Sequence, residues 1–171
     1  MTTKCIIFDC DGTLVDSEGI TNQVIAEMAG ELGIKMTGDE ASATFGGKTL
    51  DGVVYKMKEL SGKKLPDDWL PRLVQMVNDA WESGLRPLEG VKQLLEKIKI
   101  PICVASNGEP THVRHALRLT ELYDFFGDRI FTGSEVSVPK PAPDLFLYAA
   151  KKMGFNPDEC VVIEDSVTGV T

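Results

Sequence analysis

Short apolar runs alternate with longer segments of helical periodicity along the chain. Four of these runs are rich in apolar and β-branched residues: "KCIIFD", "IPICVAS", "RIFTG" and "CVVIED". Such runs, separated by helical segments, are typical of βαβ units, in which a helix connects two parallel strands. The pattern therefore predicts an α/β fold with a mostly parallel sheet.

Three connecting segments carry the spacing of crossover helices. The segment "APDLFLYAAKKMGF" has apolar residues every three or four positions, with Pro143 in its first turn and Gly154 at the expected C-terminal cap. The segments "VKQLLEKI" and "PTHVRHALRLTELYDFF" have similar spacing. Each is predicted as a helix, the longest one running from residue 110 to residue 126.

The stretch between the first and second runs contains no strand-like run. It holds three amphipathic segments, "GITNQVIAEMAGELG", "TLDGVVYKMKELSG" and "DDWLPRLVQMVNDAWESG", whose apolar residues fall on one face. In the second segment this face includes Met57 and Leu60. We therefore predict a core made of residues 1–16 and 87–171, with a helical domain, residues 17–86, inserted into it.

Size and charge limit the class of protein. With 171 residues, 43% of them apolar, the chain fits one domain with a small insertion. Its net charge of −8 argues against nucleic-acid or anionic-membrane binding, so a small-molecule partner is expected. The sequence lacks both a signal peptide and an apolar window of about 18 residues, which favours a cytoplasmic location.

The four cysteines lie in or beside apolar runs and form no C-x-x-C pair. We expect them to be reduced core residues, as in a reducing compartment. They are Cys5, Cys10, Cys103 and Cys160.

Polar residues follow the predicted strands where these end. They are Asp9 and Asp11 after the first run, Ser106 and Asn107 after the second, Lys140 after the third, and Glu164 and Asp165 after the fourth. Ligands of an open parallel sheet bind outside the carboxyl ends of its strands, so we expect these residues in one crevice. Four carboxylates there require a cation, and oxygen ligands favour Mg²⁺, held by Asp9 and Asp165 beside a phosphate group.

Each polar stretch by itself also fits a structural role. The D-x-D-G pattern is typical of an Asx turn, "SNG" of a turn, and "VPKPAPD" of a rigid loop with a solvated lysine. The acidic pair before Ser166 fits a helix N-terminus. Their joint occurrence at successive strand ends is what favours a site.

Four motifs, "DCDGTLVDSE", "ASNG", "KPAPDLF" and "VVIEDSVTGV", resemble in order and spacing the four signatures of the haloacid dehalogenase-like (HAD) hydrolase superfamily. The whole chain is similar to its phosphatase and phosphomutase branch, near the 6-phosphogluconate and other sugar phosphatases and the β-phosphoglucomutases. The resemblance implies a Rossmann-like parallel-sheet core with an inserted α-helical cap, here residues 17–86. It also implies a Mg²⁺-dependent phosphatase.

The resemblance assigns roles position by position. Asp9 would be the nucleophile that forms an aspartyl-phosphate, and Asp11 the general acid and then the general base. Ser106 and Lys140 would stabilise the phosphoryl oxygens, together with a backbone N–H near Asn107. Gly108 completes this phosphate-binding segment. The implied Mg²⁺ ligands are Asp9, the backbone carbonyl of Asp11 and Asp165, and Glu164 would either bind the metal directly or lie next to these ligands.

The predicted cap contributes three candidate substrate-binding residues. Gly47 and Lys48 lie in "FGGKT", which suits a loop that reaches an anionic substrate but equally an exposed loop before a helix capped by Thr49. Glu18, at the entry to the cap, fits a contact with substrate hydroxyls or an acidic first-turn position. The cap would cover the site and exclude water.

Two histidines early in the helix after Ser106 have a metal-like spacing. His112 and His115 stand at i and i+3, but no third ligand is evident in the sequence nearby, so a solvated helix face is favoured over zinc.

Hydrolysis is favoured over the mutase reaction. The histidine that β-phosphoglucomutases carry at the cap entry corresponds here to Thr21, and "ASNG" is more similar to the phosphatases. A sugar phosphate such as 6-phosphogluconate is the leading substrate by resemblance. A phosphomutase stays the main alternative, ahead of a receiver-like phosphoacceptor or an inactive fragment.

The chain ends at Thr171, just as "EDSVTGVT" begins a predicted helix, whereas members of the resembled family continue to a further strand. We therefore expect the C-terminal part of the core to be missing and a sheet edge to be exposed. We expect a chain of this length to have reduced stability or a partner that compensates for the missing part. In the absence of such a partner, we expect a monomer.

Overall fold

A computed structural model describes residues 2–166 and 169 of the protein. The strands in this part of the chain are β1 (Cys5–Phe8), β2 (Ile102–Ser106), β3 (Ile130–Thr132) and β4 (Cys160–Ile163). They form a parallel sheet in the order β3-β2-β1-β4. The predicted α/β class and all four predicted strands are confirmed.

Helices connect the strands and fill the long stretch between β1 and β2. The helices in the described residues are α1 (Glu18–Glu31), α2 (Gly38–Phe45), α3 (Leu50–Ser61), α4 (Trp69–Gly84), α5 (Val91–Lys97), α6 (Pro110–Leu119), α7 (Tyr123–Phe126) and α8 (Asp144–Met153). Short 3-10 turns follow β3 and precede β4. Within the described residues, no helix combines the length and apolarity needed to cross a membrane.

The chain divides into two compact units, which are described separately. The sheet unit comprises Met1–Asp16 and Arg86–Thr171, and the helical unit comprises Ser17–Leu85. The chain leaves and re-enters the sheet unit at neighbouring points, because the N–H of Asp16 donates to the carbonyl of Arg86 at 3.0 Å. The sequence predicted that the second segment of the core begins at residue 87, one residue later than Arg86.

One part of the core of the sheet unit lies between the sheet and α8. Alternate strand residues point to one face, so Cys5 and Ile7 of β1 join Cys103 and Ala105 of β2 in a single apolar cluster with α8. All four cysteines are free thiols, and burial raises the pKa of Cys5 to about 11. The outer strand β4 is less covered: its residue Val161 is 43% exposed.

The helical unit is built on amphipathic spacing. Helix α4 buries Trp69, Leu73, Val77 and Trp81, as their spacing of three or four residues predicted. Leu60, predicted on the inward face of α3, is instead 43% exposed. The prediction fails there because α3 ends one residue later, before Gly62 in the left-handed conformation.

One predicted helix is divided in two. Residues 110–126 form α6 and α7, with Glu121 between them at a φ of 59°, where a helix cannot continue. The N–H of Leu122 donates to the carbonyl of Leu117 at 2.8 Å, a bond that closes the end of a helix. Leu122 is fully buried, so its apolar side chain continues the periodicity across the break.

Candidate active site

The predicted catalytic residues meet at the carboxyl ends of the strands in the sheet unit. Phe8 of β1 pairs with Ile163 of β4, and the N–H of Asp9 donates to the carbonyl of Ile163 at 2.9 Å. This register places Asp9 beside Glu164, the residue that follows β4. The sheet topology therefore brings together side chains that lie 155 positions apart in the sequence.

Lys140 connects the two carboxylates. Its Nζ lies 2.7 Å from Oδ1 of Asp9 and 2.8 Å from Oε2 of Glu164. The three side chains are 5%, 11% and 1% exposed, respectively. The Phe146 ring lies against the ammonium group, with its centroid 4.7 Å from Nζ. The lysine is thus a buried cation that balances the negative charge at the strand ends.

The two carboxyl groups beside Lys140 differ in acidity. Burial raises the pKa of Asp9 to about 7, against the opposing effect of Lys140. Burial also acts to raise the pKa of Glu164, but hydrogen bonds from Lys140 and Ser166 outweigh it and the pKa is lowered. The shifts therefore favour an ionised Glu164 beside the lysine, whereas the pKa of Asp9 lies at about 7.

Glu164 and Asp165 are held by different neighbours. The N–H and hydroxyl of Ser166 donate to Oε1 of Glu164 at 3.1 and 2.6 Å, while Lys140 donates to Oε2. The Thr13 hydroxyl donates to Oδ1 of Asp165 at 2.7 Å, and Asp165 is the more exposed of the two residues. Protein donors bind both oxygens of Glu164, which suits support of Lys140 better than direct metal ligation.

Carboxylate oxygens from Asp9, Glu164 and Asp165 lie within 4.8 Å of one another. Oxygen donors are the ligands of hard cations, so Asp9 and Asp165 fit Mg²⁺, with Glu164 beside them. Gly12 leaves room for the Asp165 carboxylate, because a Cβ at residue 12 would collide with it. Gly12 also has a φ of +76°, a backbone conformation that favours glycine. This is the acidic group that the sequence predicted as a metal site.

Ser106, Gly108 and Asp11 form the neighbouring part of the site. Ser106 is buried, and its Oγ accepts a hydrogen bond from the N–H of Gly108 at 3.0 Å. A Cβ on Gly108 would lie 2.9 Å from Cγ2 of Val113, 3.3 Å from this Oγ and 3.7 Å from Oδ2 of Asp11. Gly108 is thus a close neighbour of two predicted catalytic groups, and the absence of a side chain keeps the space between them open.

The side chain of Asn107 has a role that the sequence did not indicate. Its Nδ2 donates to the carbonyl of Lys140 at 3.0 Å, and the N–H of Lys140 donates to its Oδ1 at 3.1 Å. The amide group thus binds the backbone of the lysine that the sequence predicts as catalytic. Local sequence carries no signal for this pairing, because the two residues are 33 positions apart. The predicted substrate contact near Asn107 stays a prediction.

The three candidate residues of the predicted cap lie in the helical unit. Glu18 is the first residue of α1, while Gly47 and Lys48 are exposed in the loop before α3. Thr49 caps α3 by accepting a hydrogen bond from the N–H of Gly52 at 3.2 Å, as predicted. The contacts of these residues with substrate stay predictions.

His112 lies half-buried in the first turns of α6. Burial lowers its pKa, while the charges of Asp11 and Glu109 act in the opposite direction and that of His115 adds to the lowering. The neutral imidazole is therefore the favoured form near pH 7. Among the described residues, the metal-type group found is the acidic one, which does not include either histidine.

A parallel α/β sheet that presents carboxylates, a buried lysine and a serine at its strand ends has the groups that phosphoryl-transfer enzymes use. The model of the haloacid dehalogenase-like hydrolase family matches residues 3–171, and the chain belongs to this family. The predicted Rossmann-like HAD fold is confirmed. The chain is therefore a hydrolase, as its motifs predicted.

Known proteins similar to the chain agree with this class. The 6-phosphogluconate phosphatase of Escherichia coli (strain K12) is 33% identical over 167 residues, which cover 97% of this chain and 76% of that protein. A conserved haloacid dehalogenase-like protein of unknown function from Agrobacterium tumefaciens str. C58 is 31% identical, with a TM-score of 0.83 over 98% of this chain and 77% of that one. A HAD family hydrolase from Deinococcus radiodurans R1, solved with bound phosphate and sodium, is 34% identical, with a TM-score of 0.77 over 98% and 74% of the two chains.

Proposed function

We propose that the protein is a Mg²⁺-dependent phosphatase that hydrolyses a sugar phosphate through an aspartyl-phosphate intermediate. The observation that carries the proposal is the buried Lys140, bound to Asp9 at 2.7 Å beside the acidic group. The 33% identity to a 6-phosphogluconate phosphatase supports an acidic sugar phosphate as the first substrate to test.

The proposed reaction consists of two displacements at phosphorus, the first by Asp9 and the second by water. A carboxylate oxygen of Asp9 attacks phosphorus, the bond to the sugar oxygen breaks, and Asp11 gives that oxygen a proton. Asp11 then takes a proton from water, whose oxygen attacks phosphorus and breaks the bond to Asp9. Lys140 and Ser106 stabilise the phosphoryl oxygens in both steps, since phosphoryl transfer depends on positioning and charge compensation.

Mg²⁺ would be held by Asp9, Asp165 and the backbone carbonyl of Asp11. When bound, it supplies positive charge to the phosphoryl group and offsets the repulsion among the carboxylates. Glu164, which Lys140 and Ser166 already bind, would support the lysine from beside the metal.

The helical unit is proposed as the cap. Lys48 and Gly47 in an exposed loop, and Glu18 at the start of α1, would supply substrate contacts. A cytoplasmic location and a monomeric state stay predictions from the sequence.

A contact in the helical unit favours hydrolysis over the mutase alternative. The indole N–H of Trp81 donates to the hydroxyl of Thr21 at 3.1 Å, at the position where the mutases carry a histidine. Unlike an imidazole, a threonine hydroxyl does not titrate near neutral pH and is a poor general acid or base there. The proton transfer that this histidine would provide is absent at this position.

The test is hydrolysis of p-nitrophenyl phosphate with and without Mg²⁺ by the wild type and by Asp9→Asn. We expect turnover that requires the metal and is lost in Asp9→Asn, with Asp128→Asn, an exposed aspartate, as the matched control. A substrate panel with 6-phosphogluconate and β-glucose 1-phosphate follows. Full activity in Asp9→Asn would contradict the mechanism, and conversion of β-glucose 1-phosphate to an isomer without phosphate release would favour the mutase.

A further inference from the structure

We propose that Asn107 is a positioning residue, whose side-chain amide fixes the backbone of Lys140 so that the ammonium group lies between Asp9 and Glu164. The catalytic consequence of this role rests on the proposed phosphatase function. The positional role itself rests on geometry alone.

The amide makes a reciprocal pair of hydrogen bonds with a single residue. Nδ2 of Asn107 donates to the carbonyl of Lys140 at 3.0 Å, and Oδ1 accepts from its N–H at 3.1 Å. The amide thus binds the backbone of Lys140 as a neighbouring β-strand would, with one donor and one acceptor. Pro139 and Pro141 flank the lysine and have no N–H, so Lys140 supplies the sole backbone donor of these three residues.

The amide lies close to the end of β3. A Cβ on Gly133, the residue after β3, would lie 3.2 Å from Oδ1 of Asn107 and 3.2 Å from Cβ of Pro139. Gly133 therefore lets the loop, the amide and the strand end pack together closely. The residue after β2, the residue after β3 and the loop that carries Lys140 thus pack together, and Asn107 is the one of these that binds the Lys140 backbone through its side chain.

A lysine side chain has four rotatable bonds, so its charge is placed precisely only when both ends are fixed. The carboxylates of Asp9 and Glu164 bind the ammonium end. Asn107 binds the backbone end. Without the bonds from Asn107, the carboxylates would still attract the ammonium group of Lys140, but the lysine could shift relative to a bound phosphate.

The rival explanation is that Asn107 contacts the substrate phosphate directly. A double-mutant cycle separates the two, because a residue that acts through Lys140 has nothing left to act on once the lysine is replaced. We therefore compare the wild type, Asn107→Ala, Lys140→Gln and the double variant. Values of kcat and KM for p-nitrophenyl phosphate with Mg²⁺, and the Kd of inorganic phosphate, are measured for each.

We expect Asn107→Ala to lower kcat by about 10- to 100-fold, with a smaller change in KM, as is usual for residues that orient a catalytic group. In the Lys140→Gln background the same substitution should change both kcat and the phosphate Kd by less than about twofold. Losses that multiply in the double variant would overturn the proposal in favour of direct contact.

A second measurement reports on the lysine without using activity. Acetic anhydride acetylates free amines, and peptide mass spectrometry gives the rate at Lys140, which is 5% exposed in the wild type. We expect faster acetylation of Lys140 in Asn107→Ala, and an unchanged rate in Asn156→Ala, a matched control at an asparagine that binds Glu159.

An unchanged labelling rate in a folded Asn107→Ala protein would refute the positioning role. If that variant does not fold, Asn107→Asp keeps the side-chain size but lacks the donor to the Lys140 carbonyl, and should show the same faster labelling. Faster labelling in a protein whose wild type hydrolyses no phosphate ester would leave the positioning role intact and refute the proposed function.

Discussion

Asp9 shows how the surroundings of a single residue determine its chemistry. It is a carboxyl group with little access to water, and burial raises its pKa to about 7 even with an ammonium at 2.7 Å. A proton and a cation therefore compete for the same oxygen atoms around neutral pH.

This competition predicts a pH-dependent affinity for Mg²⁺. Above pH 7 Asp9 is ionised and the affinity should be constant; below pH 7 it gains a proton, and the affinity should fall by up to about tenfold per pH unit. Titration calorimetry of the full chain with Mg²⁺ at pH 6, 7 and 8 measures this. An affinity that does not change over this range would show that Asp9 is not a ligand.

Gly12 is a second residue whose effect can be isolated. The Gly12→Ala variant places a Cβ against the Asp165 carboxylate at a φ of +76°, so we expect Mg²⁺ affinity to fall by about 10- to 100-fold. Gly90→Ala is the control, because Gly90 has a φ of +82° and nothing within 4 Å of the added atom. Both variants should lose about 1 kcal/mol of stability through backbone strain, and only Gly12→Ala should lose metal affinity. Equal loss of affinity in both would contradict the proposed role of Asp165.

At the scale of elements, the spacing of apolar residues predicted the strands and the helices that connect them. The strand ends at Asp9 and Ser106 follow from short apolar runs, and so does their meeting at one edge of the sheet. The break between α6 and α7 was not predictable from spacing, because the buried Leu122 keeps the pattern going. The amide of Asn107 and its partner Lys140 escaped prediction because they meet only in the folded chain.

Helix α4 offers a comparison of two buried tryptophans. The indole N–H of Trp81 donates to Thr21 at 3.1 Å, whereas that of Trp69 is buried with no hydrogen-bond partner among the described residues. Replacement by Phe removes similar volume at both sites. We expect Trp81→Phe to lose about 1 kcal/mol more stability than Trp69→Phe in urea unfolding. A larger loss for Trp69→Phe would mean that packing, not the hydrogen bond, dominates.

At the scale of the molecule, charge is concentrated where the chemistry is proposed. The chain carries a net charge of −8, yet Lys140 lies among Asp9, Glu164 and Asp165 at the strand ends. A cation is what makes such a site attractive to an anionic substrate. The family that the sequence suggested is confirmed over residues 3–171, and the proposed role of the helical unit in substrate choice stays a prediction.

The N–H of Asp16 donates to the carbonyl of Arg86 at 3.0 Å, so the two ends of the insertion lie next to each other. We expect that the insertion can be removed from the sheet unit at this point. Because the two chain ends already lie side by side, a three-residue Gly-Ser-Gly bridge can replace residues 17–85 without stretching the sheet. We expect this minimal chain to keep the far-UV circular dichroism of an α/β protein and its Mg²⁺ affinity. Loss of both would show that the sheet unit needs the insertion to fold. If the minimal chain folds, helical units from other proteins can be inserted at the same junction, and a change of substrate preference with each insertion would test the proposed role of the helical unit.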